Sequence, residues 1–263
     1  MRTKSFTFLI VVAIGIASCS MQTVESRKMT DAPLVNPSDE PVPVIVELFT
    51  SEGCSSCPSA ERNLEFLARE QPVPEVEIIP LELHVDYWDR LGWKDPFSSA
   101  IFSSRQEYYG ERFKLGSVYT PQFVIDGAFQ ASGNDSGAAA KFIMQASKGP
   151  KASVTTVVEG ERLRIGIENM PKHETSSVFV AVYEDGLSRD VSAGENSGRT
   201  LRHNSVVRRL TAIGSIAADK SDFSAEYVLA LDPEWNGRTL GCVVFIQENA
   251  SRRILGAVKV KIG

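Results

Sequence analysis

The chain has 263 residues, of which 43% are hydrophobic and 23% charged, the makeup of an ordinary globular protein with room for two modest domains. Lysine and arginine number 28 against 33 acids, a formal net charge of -5, so nothing in the balance points to nucleic acid. Four cysteines are few enough to be placed one by one.

Residues 1–19 read as a targeting segment. Arg2 and Lys4 make a positive start, and Phe6 to Ala17 is an apolar run. That run is too short for a lone membrane-spanning helix and suits a signal peptide. Its end, Ile16-Ala17-Ser18-Cys19, resembles the bacterial lipobox, in which the cysteine becomes lipidated. Ordinary cleavage nearby, with Cys19 incidental, is the other reading. Lipidation implies a periplasm-facing protein anchored in the cell envelope. Ser20, where an Asp would resemble an inner-membrane retention signal, tilts this to the outer membrane. A soluble periplasmic or secreted protein is the alternative. Residues 20–43 are polar and broken by Pro33, Pro37, Pro41 and Pro43, which predicts a flexible tether.

Val44, Ile45, Val46, Leu48 and Phe49 form an apolar run that reads as a buried strand. A short turn with Gly53 follows, then Cys54-Ser55-Ser56-Cys57 with a helical pattern behind it. A C-x-x-C opening a helix after a strand is a redox arrangement. Free N–H groups and the positive end of the macrodipole favour thiolate at the first cysteine, and the second can reach back to close a disulfide. Pro58 suits the first helical turn, and Ala60, Leu64, Leu67 and Ala68 make one apolar stripe.

Val76 to Val85 reads as the next strand, with Leu81, Leu83 and Val85 on one face and Glu82, His84 and Asp86 on the other. Pro80 predicts irregularity or a missing ladder bond early in it. A βαβ crossover makes the two strands parallel, so Cys54, His84 and Asp86 gather at one sheet edge, where chemistry collects. Tyr87 to Phe97 carries Trp88 and Trp93 and reads equally as a lid, a peptide-contact surface or an aromatic plug. Ser98 is the expected N-cap of a helix running to about Phe113. Asp126-Gly127 is a hairpin turn between strands 122–125 and 128–131, and Asp135 or Ser136 caps a last helix with Phe142, Ile143 and Ala146 inward.

The expected fold class is therefore α/β, in the order β-α-β-α-β-β-α over residues 44–149. Gly149-Pro150 marks a boundary, and 150–263 carries strands alone, near 152–158, 162–168, 178–184, 204–210, 225–231, 241–247 and 254–262. This predicts an antiparallel β-sandwich. The stretch Ser188 to His203 reads as a long polar loop whose Arg199, Arg202 and His203 either touch the first domain's active edge or are solvated. Cys242 lies in a strand pattern as a buried, inert thiol, with a regulatory or intermolecular role as the alternative.

Cys54-Ser55-Ser56-Cys57 after a strand, with Thr120-Pro121 before a hairpin and helix, resembles the thioredoxin-like superfamily. The segments E-L-F-T-S-E-G-C-S-S-C-P, H-V-D-Y-W-D-R-L-G-W-K-D-P-F-S, Y-T-P-Q and G-R-T-L-R-H-N-S-V-V-R are similar to an uncharacterised bacterial family of secreted thioredoxin-like proteins, over residues 42–263. The resemblance implies a cis-proline at Pro121 against a redox-active disulfide, and it makes Glu47 the candidate buried acid. Ser-Ser between the cysteines departs from the dipeptides of well-studied members, which leaves the direction of electron flow open. The usual first strand and helix are missing.

Three functions follow as expectations. The first is a thiol–disulfide oxidoreductase in which Cys54 and Cys57 exchange electrons with protein thiols or disulfides, or with a membrane redox partner. Pro121 and Thr120 would shape its groove, with Glu47, His84 and Asp86 in supporting roles and no cofactor. The second is binding or delivery of Cu(I) or zinc by Cys54, Cys57 and His84. The third is a non-catalytic binding module built on the sandwich.

Overall fold

Strand β1 (Val42–Thr50) is buried from Val44 to its end. Burial on both faces is what an unbroken apolar run requires of a central strand. The computed structural model describes residues 40–235 and 239–262, so Cys19, the signal segment and the tether up to residue 39 lie outside it. β1 starts at Val42, inside the stretch expected to be tether.

Helix α1 (Cys57–Glu70), strand β2 (Val76–His84), helix α2 (Ala100–Phe113), strands β3 (Gln122–Ile125) and β4 (Phe129–Ser132) and helix α3 (Ser136–Ala146) complete the expected β-α-β-α-β-β-α order. Strands β5 (Ser153–Glu159), β6 (Arg162–Glu168), β7 (Ser176–Glu184), β8 (Leu187–Val191), β9 (Arg199–His203), β10 (Val206–Ile216), β11 (Phe223–Val228), β12 (Leu240–Glu248) and β13 (Ile254–Lys261) follow. The fold is an α/β unit joined to a β-sandwich, as expected.

Eight strands form one mixed sheet in the order β13-β12-β7-β10-β2-β1-β3-β4. β1 and β2 are parallel, with Thr50 opposite His84. β10 joins β2 through the single parallel pair Val206–Glu82. Strands from beyond Gly149-Pro150 thus extend the sheet begun by β1. Helices α1 and α3 cover one face of its first half, where Val44, Val46 and Leu48 meet Leu64, Leu67 and Ile143. Each such fully buried aliphatic side chain contributes about 1.5–3 kcal/mol. A second sheet, β11-β6-β5, covers the other half on that side, with Leu163, Ile165 and Ile167 against Val178, Val180 and Val244. The opposite face holds Ile45, Phe49, Leu81, Leu83 and Phe245 with Phe102 and Tyr109 of α2.

Three local expectations change. Pro80 breaks nothing: β2 is continuous and pairs Pro80 with Val46. The N–H groups of Ile78 and Glu82 point away from β1, to Gln71 Oε1 and the Ser205 carbonyl. The absent N–H of Pro80 therefore falls on the side where β10 supplies only one pair. The cap of α2 is Ser99, whose Oγ accepts from the Ile101 N–H at 3.2 Å, while Ser98 Oγ donates to Asp89 at 2.8 Å. The supposed loop 188–203 contains the β8–β9 hairpin. The hairpin turn at Asp126-Gly127 has φ of 54° and 65°, and a methyl on Gly127 would stand 1.8 Å from the Arg252 carbonyl oxygen, so only glycine fits.

Candidate functional site

The C-x-x-C sits where β1 runs out at the sheet edge. The turn closes by Cys54 N–H to the Ser51 carbonyl at 3.1 Å and Cys57 N–H to the Cys54 carbonyl at 3.2 Å. Cys54 and Cys57 are disulfide-bonded with a Cα separation of 5.4 Å. α1 begins at the second cysteine, with Ser56 as N-cap, Pro58 in the first turn and no acid there. Cys54 therefore lies just ahead of the helix rather than in it. Both cysteines are buried, with Cys54 1% exposed, while Ser55 and Ser56 are open to solvent.

The loop between β8 and β9 closes over this turn. Buried Asn196 donates through Nδ2 to the carbonyls of Glu52 at 2.8 Å and Cys54 at 3.0 Å. Glu195 Oε2 accepts the Ser55 N–H at 2.9 Å, and hydrogen bonding from the Ser55 hydroxyl and then its N–H holds that carboxyl below its ordinary range. Arg199 Nη1 donates to Asn196 Oδ1 at 2.6 Å and fixes the amide. From the other side, Asn134 Nδ2 donates to the Ser56 carbonyl at 3.2 Å.

Pro121 is buried at the head of β3, and the Thr120–Pro121 bond is cis. A methyl on Gly133 would lie 2.7 Å from Ala60 Cβ and 2.9 Å from Pro121 Cβ, so Pro121 stands close against α1 one turn beyond the disulfide. Thr120 Oγ1 accepts from Trp88 Nε1 at 2.8 Å, and Trp88 also packs on Gly53. Trp93 Nε1 donates to Glu52 Oε2 at 2.8 Å. The two tryptophans buttress the disulfide turn, which is the plug reading of their loop.

His84 is not paired with the sulfurs or with Asp86. Its Nδ1 is 2.7 Å from Asp95 Oδ2 and its Nε2 is 2.7 Å from Glu82 Oε1. Asp86 follows the end of β2, where the alternation stops, and its carboxylate accepts from Ser103 Oγ of α2 at 2.5 Å. Glu47 also lies elsewhere: it shares the α2 face with Ile45 and Phe49, bonding Arg105 Nε at 2.5 Å and Tyr109 Oη at 2.5 Å. α1 and Cys57 are on the other face of β1.

His203, at the end of β9, is the residue that the polar sequence around it concealed. Its Nδ1 is 3.0 Å from Glu82 Oε1 and 3.3 Å from Glu61 Oε2, and its Nε2 is 3.2 Å from Glu52 Oε1. Arg199 and Arg202 stay exposed. Glu52, Glu61, Glu82, His84, Asp95 and His203 thus form one buried cluster directly behind the disulfide turn. Glu61 follows Cys57 by four residues, so both lie on one face of α1. Burial alone would lower both imidazoles. The facing carboxylates outweigh it, so His84 is pushed up to about 10 and His203 also rises. Burial raises the Glu61 carboxyl, and the neighbouring Glu82 charge adds to that. Glu82 and Asp95 are instead held down, because their histidine contacts overcome burial.

Sequence reasoning missed Glu52, Glu61, Asp95, Glu195 and Asn196. Two signals were present: Glu82 and His84 alternate within an apolar strand, and Glu61 stands one turn after Cys57. Among the described residues, the convergent set of metal-binding side chains is Glu82, His84 and His203, not Cys54, Cys57 and His84. Cys242 is buried in the sandwich core, and burial pushes its thiol up to about 12. No described helix is long and apolar enough to cross a membrane.

No curated protein matches the chain. The crystal structure of a structural-genomics protein from Agrobacterium tumefaciens is similar over 85% of this chain and 96% of that one, at 26% identity and a TM-score of 0.71. A domain of the outer membrane lipoprotein Omp28 from Porphyromonas gingivalis overlaps 43% of this chain and 89% of that one, at 13% identity and a TM-score of 0.24, too low to support an inference. The family model described as "Protein of unknown function (DUF1223)" matches residues 45–247. That span is most of the chain and holds the disulfide, the cis-proline and the whole buried cluster, so the chain belongs to the DUF1223 family.

Proposed function

We propose that the protein is a thiol–disulfide oxidoreductase of thioredoxin-like type, acting through Cys54 and Cys57. The observation that carries the reading is the Cys54–Cys57 disulfide placed at the head of α1, at the carboxyl end of a parallel strand. In the oxidised form a substrate thiolate attacks Cys54 Sγ. The Cys54–Cys57 bond breaks, a mixed disulfide forms, and Cys57 leaves as a thiolate, which takes up a proton. A second substrate thiolate then attacks its own sulfur in the mixed disulfide and releases Cys54. The substrate dithiol has lost two electrons and the enzyme pair has gained them. Run backwards, the same steps reduce a substrate disulfide. The positive end of α1, with no acid in its first turn, favours the cysteine thiolates in either direction.

The proposal includes an envelope location with a lipid on Cys19, and partners that are protein thiols or disulfides or a membrane redox protein. Radiolabelled fatty acid should enter the wild-type chain and not Cys19→Ala.

The deciding experiment is the equilibrium potential of the pair, titrated against glutathione. A value near roughly -270 mV marks a reductant and one near roughly -120 mV an oxidant. Exchange with a model dithiol should vanish in Cys54→Ser. A native pair that exchanges with nothing at any poise overturns the reading and leaves a structural disulfide.

A further inference from the structure

Thiol exchange does not account for the buried histidines and carboxylates behind the disulfide. Four side chains from three elements converge there: Glu61 of α1, Glu82 and His84 of β2, and His203 of β9. All four are buried, the least so being Glu61 at 6% exposed. His84 Nε2 is 2.7 Å from Glu82 Oε1. His203 Nδ1 is 3.0 Å from the same oxygen and 3.3 Å from Glu61 Oε2. Ligand atoms held about 2.0–2.2 Å from a tetrahedral ion stand about 3.3–3.6 Å apart. The ligand atoms of Glu82, His84 and His203 all lie within 4.8 Å of one another, and the Glu61 carboxylate swings in from beside His203 to complete the set.

The outer ring of the cluster is arranged for the same purpose. Each imidazole turns one nitrogen inward and the other onto a carboxylate: His84 Nδ1 to Asp95 at 2.7 Å, His203 Nε2 to Glu52 at 3.2 Å. A carboxylate behind each ring is how metal-bound histidines are oriented and made more basic. The orienting groups are themselves fixed. Asp95 accepts the N–H groups of Glu52 at 2.8 Å and Phe97 at 2.9 Å, and Glu52 accepts Trp93 Nε1 at 2.8 Å. Phe97 closes the space beside both rings, with centroids 5.4 and 5.6 Å away.

A cation also answers the charge. Four buried carboxylates, of Glu52, Glu61, Glu82 and Asp95, face two imidazoles, so protonating both rings still leaves acids in excess, and a bound cation offsets them. Access exists on the β9 side. A cavity of about 250 Å³ touches Glu61 and Glu82, and another of about 460 Å³ touches His203. Two imidazole nitrogens with carboxylate oxygens, and no thiolate, suit zinc, manganese or ferrous iron rather than Cu(I).

We propose that Glu61, Glu82, His84 and His203 bind a single divalent transition-metal ion that ties β9 to β2 and α1 beneath the disulfide turn. This set shares only His84 with the cysteine-based metal site that the sequence suggested, and it does not depend on the redox reading.

The test uses the full chain, stripped with chelator and dialysed against zinc alone. One zinc per chain is expected. Cobalt in its place should give visible d–d bands without a thiolate charge-transfer band, a readout that needs no variant to fold. The Cys54→Ser/Cys57→Ser variant should keep its zinc. His203→Ala should bind at least about 100-fold more weakly. Asp95→Asn, which leaves all four ligands in place, should lose about 10- to 100-fold. A wild-type chain that holds well under one zinc overturns the proposal. So does a cobalt spectrum with a thiolate band, or zinc that survives in His203→Ala and is lost with the cysteines.

Discussion

Cys54 is 1% exposed, so an incoming thiolate reaches its sulfur only after something moves. The β8–β9 loop is what the structure offers, and Asn196 is its anchor. Its amide donates to the Glu52 and Cys54 carbonyls at 2.8 and 3.0 Å. Each such bond is worth about 0.5–1.5 kcal/mol net. Asn196→Ala therefore lowers the cost of lifting the loop by about 1–3 kcal/mol, a gain of roughly 5- to 150-fold in the open population. If opening is fast and rarely populated, the reduction rate rises by the same factor. The assay is reduction by dithiothreitol under native conditions, quenched by alkylation and read by mass spectrometry. Reduction in denaturant, where wild type and variant should be equal, is the control. A native rate within about twofold of wild type would refute the reasoning, because the loop would then not be what shields the disulfide.

Three further outcomes follow from the geometry. Glu47→Gln should leave disulfide exchange within about twofold of wild type, because Glu47 faces α2, while leaving the half-buried Arg105 without its charge partner should cost up to about 3 kcal/mol in denaturant unfolding. Gly127→Ala should lower the unfolding midpoint sharply, because its methyl would meet the Arg252 carbonyl at 1.8 Å and the turn needs a positive φ. In chelator, the pH dependence follows His84. A folded value of about 10, above the ordinary 6.5, makes its contribution complete below pH 6.5 and lost as pH rises toward 10. Between those limits the folded state holds the extra proton, so unfolding free energy falls by about 1.4 kcal/mol per pH unit from this group. Urea melts of wild type and His84→Gln at pH 7 and 9 check it, and parallel behaviour of the two would contradict it.

Local chemistry in the sequence was sufficient for the element order from β1 to α3, the hairpin at Asp126-Gly127 and the turn that carries Cys54 and Cys57. Apolar periodicity, a turn dipeptide and a C-x-x-C act over a few residues, and neighbours in the chain decide them. The change to strands alone after Gly149-Pro150 was equally legible. Pairing across the chain was not. Val206 meets Glu82 across more than a hundred residues, and that single bridge extends one sheet through both halves. Periodicity carries no address for such a partner. The same limit applied to the site. Glu47 and Asp86 had the right residue type near the right strand ends, but the face of β1 and the end of β2 sent them to α2. His203 sat among exposed polar residues, and the sequence left it either at the first domain's active edge or solvated. It is buried because β9 brings it beside Glu52, Glu61 and Glu82, whose carboxylates compensate the desolvation of its ring. A disulfide within four residues can be read from the chain itself. A cluster assembled from α1, β2, β9 and the Trp93 loop exists only once the tertiary structure has closed.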